Sequence, residues 1–146
     1  MTPLPFTLRM PGQDHSADGI TAWSTFTVHG VLRFEEGELL LEWAVTASTS
    51  AVDGLEVHSE KEALPVEALI VPLERLYEAR VRTRWWQPYL ELVATDLNVF
   101  FGVPGNEGGK VHLRIERSDR PLAIALADLI NNGIRLAPSA PTDPTG

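Results

Sequence analysis

From Ser24 to Phe34 the even positions Phe26, Val28, Leu32 and Phe34 are apolar, while Thr25, Thr27, His29 and Arg33 face the other way. A period of two is that of a strand with one buried face. Glu35-Glu36-Gly37-Glu38 holds the turn glycine, and Leu39, Leu41, Trp43 and Val45 resume the alternation. A loop over 35–38 sets Phe34 opposite Leu39, Leu32 opposite Leu41 and Gly30 opposite Trp43, where the missing side chain leaves room for the indole. Residues 48–68 read as a long polar, acidic connection with a short strand at most near Leu55 to Val57. Leu69 to Leu73 reads as a short buried strand ended by proline, and Glu74 to Leu76 as a bend.

The next strand carries Tyr77, Ala79, Val81, Thr83 and Trp85 on one side and Glu78, Arg80, Arg82 and Arg84 on the other. A two-residue loop at Trp86-Gln87 returns it with Leu90, Leu92 and Ala94 inward. That register sets Val81 opposite Leu92 and Arg82 opposite Glu91, so the apolar and charged faces agree at once. Asp96-Leu97 turns into a strand with Val99, Phe101 and Val103 inward, and residues 104–109 form a long turn. Val111, Leu113 and Ile115 mark the last strand, with Lys110, His112, Arg114 and Glu116 outward. The period then changes to 3.6: Leu122, Ala125, Leu126, Leu129 and Ile130 predict a helix, with Ser118 or Asp119 as cap, Pro121 in the first turn and Gly133 to end it. Its apolar stripe has only the sheet to pack on.

The pattern predicts a mainly β domain, a strongly curved antiparallel sheet or open barrel of about seven strands closed by one C-terminal helix. Residues 1–22 hold three prolines and two glycines without period, and Ala137 to Gly146 hold three more prolines. The expected organisation is a loosely ordered segment over 1–22, one domain over 23–134 and a flexible tail over 135–146.

This order of elements resembles bacterial pleckstrin homology-like domains, including GRAM-like members. The resemblance rests on Gly30-Val31-Leu32-Arg33-Phe34 to Gly37-Glu38-Leu39-Leu40-Leu41 as the opening hairpin and Val71-Pro72-Leu73-Glu74-Arg75-Leu76 as the entry to a long strand. A last strand running directly into the helix Asp119 to Asn132 completes it. The resemblance implies a binding or scaffolding module. In lipid-binding members, basic residues near the first hairpin hold inositol phosphates; here that hairpin is Glu35-Glu36-Gly37-Glu38, which would repel phosphate.

Composition narrows the function classes. The 146 residues include no cysteine, which removes disulfides and thiolate chemistry, and carry a net charge of −8. The imbalance lies wholly in residues 1–70, with three basic residues against eleven acidic ones; residues 71–146 hold nine of each. Nucleic acid is therefore not an expected partner. No apolar run is long enough to span a bilayer and no secretory leader opens the chain, so a soluble, cytoplasmic protein is expected.

Catalytic patterns are missing. No serine sits in a nucleophile elbow, the glycines at 102, 105, 108 and 109 belong to a turn between strands, and His15, His29, His58 and His112 form no paired zinc spacing. Asp14-His15-x-x-Asp18 and His58-Ser59-Glu60 lie in polar stretches without a third ligand. The expectation is a noncatalytic module with no catalytic residue, metal or cofactor. Its candidate partner or anion surface is Arg80, Arg82, Arg84, Lys110 and Arg114, with Trp86 as an exposed anchor. A protein partner or self-association through an edge strand is favoured over an anionic lipid surface. A barrel cavity holding a small lipophilic ligand, or a site assembled from distant residues, is the competing reading.

Overall fold

Among the residues that the computed structural model describes, 2–9, 13–17, 20–53 and 56–136, nine strands form a single antiparallel sheet. They are β1 (Leu4–Arg9), β2 (Gln13–Ala17), β3 (Ile20–Glu35), β4 (Glu38–Asp53), β5 (Glu56–Ala63), β6 (Glu67–Pro72), β7 (Leu76–Arg84), β8 (Gln87–Ala94) and β9 (Lys110–Arg114). The path across the sheet is β5-β4-β3-β1-β9-β8-β7, with β2 on β3 and β6 on β4. The sheet is curled but not closed, and the helix α1 (Arg120–Leu136) packs mainly against β7.

The central hairpin has the register its alternation dictates: Phe34 pairs with Leu39, Leu32 with Leu41 and Gly30 with Trp43. Its turn is Glu36-Gly37, with φ of 52° and 74°, the two-residue geometry whose twist matches the strands. The space above Gly30, however, belongs to Phe6. A Cβ there would lie 2.2 Å from the Phe6 ring and 2.6 Å from the Glu42 carbonyl oxygen, so the ring of β1 rather than the Trp43 indole fills the gap.

That contact corrects the expectation of a loose N-terminus. β1 lies between β3 and β9, and Leu4, Phe6 and Leu8 are buried. Pro5 is tolerated because β1 shares only the pair Thr7–Arg114 with β9, so the missing N–H interrupts no ladder on that side. The Glu36–Gly37 turn is thus the tip of a hairpin that follows β1, not the opening connection of the sheet.

Residues 48–68 also differ from the reading as a connection. β4 runs on to Asp53 and pairs with β5, so the hairpin extends past the core as a Ser- and Thr-rich arm, and β6 pairs with the proximal half of β4. Alternation carries no signal where neither face is packed on a core.

Three further segments depart from the pattern. A bulge between Leu76 and Glu78 turns Tyr77 out to 67% exposure while Leu76 and Ala79 are buried. Residues 96–103 are successive tight turns, with hydrogen bonds from Val99 N–H to the Asp96 oxygen and from Val103 N–H to the Phe100 oxygen. The turns bury Val99, Phe100 and Val103 and leave Phe101, expected inward, 79% exposed. In α1 the buried side is Ala123, Leu126, Ala127 and Ile130, so Ala125 and Leu129 face outward; Pro121 does lie in the first turn. Gly133 does not end the helix. Its bare Cα faces Leu73, where a Cβ would meet the side chain at 2.8 Å. The helix continues to Leu136, past the expected boundary at 134, and the rest of the tail lies outside the described residues.

The inner face is filled. Phe100, Leu4, Leu32, Leu39, Leu41, Leu90, Leu92, Leu113, Leu126 and Ile130 have almost no exposure. Among the described residues no helix is long and apolar enough to cross a membrane.

Candidate functional site

The strands β7, β8 and β9 carry five of the nine basic residues of the second half of the chain, Arg80, Arg82, Arg84, Lys110 and Arg114. The β7–β8 hairpin turns at Trp85-Trp86, one residue earlier than the Trp86-Gln87 loop expected, so Arg84 pairs with Gln87 and Arg80 with Glu91. A shift of two in partner leaves every face unchanged, which is why parity alone could not separate the registers. Trp85, expected inward, stands 83% exposed at the tip beside Trp86 at 76%.

Both tryptophans are left-handed, with φ of 52° and 64°. A bulky residue there costs about 1–2 kcal/mol, and such turns favour Asn-Gly. The tip is nonetheless held firmly. Arg117 Nε donates to the Trp86 carbonyl at 3.1 Å, and Gln87 Nε2 donates to the carbonyls of Ile115 (2.7 Å) and Pro88 (3.1 Å). The Gln87 Oε1 accepts from Arg114 at 3.1 Å, which fixes that guanidinium against the sheet.

Arg84, Trp85, Gln87, Tyr89, His112 and Arg114 line an open depression of about 660 Å³. A second, of about 540 Å³, begins at the same Gln87 and Arg114 and includes Trp86 and Arg117. Arg114 therefore stands between the two.

One side of the face is internally neutralised. Glu91 is buried; its Oε2 accepts from His112 Nε2 at 2.9 Å, and its Oε1 lies 3.8 Å from Arg82 Nε. Burial pushes its carboxyl up, but the His112 hydrogen bond and the charges of Arg82 and Lys110 outweigh this and hold it below the usual carboxylate range. Tyr89 meets His112 edge to face at 5.3 Å. Arg80 donates to Glu78 on its own strand. Among the described residues, no carboxylate lies within ion-pair distance of Arg84 or Arg114.

Of the residues singled out from sequence, the structure brings together Arg84, Arg114 and Trp86, places Arg82 and Lys110 around Glu91, and engages Arg80 with Glu78 away from the tip. Sequence reasoning missed Trp85, Gln87, Tyr89 and His112. The turn position hid Trp85, and Gln87 matters through hydrogen bonds to Arg114 and Ile115, 27 and 28 positions away. His29 and His112 sit on different strands, and the side chains of Asp14, His15, Asp18 and His58 lie outside the described residues. Comparison with family models, with curated proteins and with solved structures finds no match for this chain.

Proposed function

We propose that this chain is a noncatalytic binding module of pleckstrin homology-like architecture that contacts a protein partner through the Trp85-Trp86 tip. The antiparallel sheet and the C-terminal helix are compatible with that architecture. The observation that carries the contact surface is the tip itself: two adjacent indoles, exposed and left-handed, on a turn braced by Arg117 and Gln87. Tryptophan is enriched among interface hot spots, and strain retained in a braced exposed turn favours a role in contact over one in folding.

The filled inner face favours this reading over a ligand-bearing barrel cavity, since both depressions open on the outer surface. A photo-crosslinking side chain placed at Trp85, at Trp86 and, as control, at Glu36 tests the contact in cells. Discrete products from the first two positions and not from the third are expected. Products equal at all three, or absent from the tip, overturn the proposal.

A further inference from the structure

The two depressions that flank Arg114 point to a chemical class of partner. Arg84 and Arg114 are the two guanidiniums in the first depression, and among the described residues no carboxylate lies within ion-pair distance of either. Arg117 adds a third in the second depression, its Nε on the Trp86 carbonyl. A guanidinium presents several donors in a fixed fork suited to carboxylates, and Arg114 is already oriented by Gln87. Indoles on either side offer apolar surface between the cationic points.

We infer that the groove over Gln87 and Arg114 takes an acidic peptide segment of a partner protein, with carboxylates on Arg84 and Arg114 and an apolar side chain against Trp85 or Trp86. This rests on the tip being the contact surface. Charge placement favours a peptide over an anionic bilayer. A bilayer presents its charge to the whole facing side of a protein with net charge −8, whereas a short peptide feels only the field within about 8–10 Å of the arginines. Glu91, Glu107 and Glu116 lie on or beside the same face, so the positive field is local rather than a broad sheet-wide patch.

The test is a selection of random peptides displayed on phage against the full chain, followed by fluorescence anisotropy with the enriched peptide and with a copy carrying Gln for Glu and Asn for Asp. Acidic sequences are expected to be enriched. Arg84→Glu/Arg114→Glu should weaken the enriched peptide at least about tenfold, as should the neutral copy. Trp85→Ser/Trp86→Ser should weaken it as well, with circular dichroism showing each variant folded. Enrichment of neutral or basic peptides that need the tryptophans but not the arginines overturns the acidic class while leaving the tip as the contact surface. Enrichment unaffected by either variant, or no enrichment, overturns both. Sedimentation of the chain with vesicles containing phosphatidylserine, in the absence of acidic-peptide binding, overturns the peptide in favour of a membrane.

Discussion

Asn131 ties the helix α1 to the backbone of the strand β7. Its Oδ1 accepts from the Ala79 N–H at 2.9 Å and its Nδ2 donates to the Ala79 carbonyl at 2.8 Å, so one amide satisfies both backbone groups of a buried residue on the edge strand β7. The amide stands where a further strand would pair. Asn131→Ala removes two hydrogen bonds, each worth about 0.5–1.5 kcal/mol net, and leaves a donor and an acceptor whose desolvation costs about 1–3 kcal/mol each where water does not reach them. A loss of about 2–4 kcal/mol is expected, which lowers the melting temperature by roughly 7–13 °C for a chain of this size.

Asn131→Asp separates the hydrogen bonds from the packing. The near-isosteric carboxylate still accepts from the Ala79 N–H but faces the Ala79 carbonyl oxygen with a second acceptor, so its charged form is disfavoured and its folded pKa is raised above the unfolded value of about 3.9. A raised group contributes stability that is fully present below the unfolded value and lost as pH rises through the folded one. The urea midpoint of Asn131→Asp should therefore rise on going from pH 7 to about pH 5, while that of the natural chain stays level. Asn131→Ala as stable as the natural chain, or Asn131→Asp without that trend, refutes the reasoning.

Gly30→Ala drives a methyl into the Phe6 ring and the Glu42 carbonyl and should cost about 3 kcal/mol in urea unfolding; adding Phe6→Leu should recover part of it, as a coupled pair must. Trp85→Asn/Trp86→Gly should hold or raise stability by up to about 2 kcal/mol by relieving the left-handed strain, so a clear drop in the melting temperature would make the indoles structural rather than a contact surface. Glu91, held below the usual carboxylate range, contributes stability that is present above its unfolded value of about 4.3 and lost as pH falls through the lower folded one. Glu91→Gln should cost about 1–3 kcal/mol near neutrality and flatten that acid limb, which denaturant titrations at a series of pH values measure.

The sheet was legible wherever alternation met a packed face. The Phe34–Leu39 hairpin and the inward set Leu90, Leu92, Val111 and Leu113 follow directly from period two. It failed where something other than period decides. Leu4, Phe6 and Leu8 alternate as well as any strand, but Pro3 and Pro5 read as breakers until the partner strands are known. At Tyr77 a single bulge inverts the parity. At Phe100 and Phe101, a strand reading and a run of turns bury opposite rings. In α1, two stripes offset by one residue are both apolar because eight of the nine residues from Leu122 to Ile130 are Ala, Leu or Ile, and the fit to β7 selects between them. For the site, the arginines were visible as a row on one strand. Which of them are already engaged depended on side-chain geometry that parity does not give: Arg80 turns along its own strand to Glu78, and Arg82 reaches Glu91 across to β8.

The two ends of β7 bear differently on how a partner can approach. At Ala79 the backbone edge is occupied by Asn131, so a strand added there would have to displace an amide that makes two good hydrogen bonds. Self-association by edge pairing, admissible from the sequence, meets its barrier at that point. At the Trp85-Trp86 turn that follows β7 the condition is different: the Trp86 carbonyl accepts from Arg117, and both indoles are left outward. Local rules are broken there twice over, by bulky residues in left-handed backbone and by large indoles in water, and sequences keep such conflicts chiefly where function requires them. With the excess negative charge confined to residues 1–70, the acidic peptide proposed above would meet less repulsion on the strands of the second half, whose charges balance.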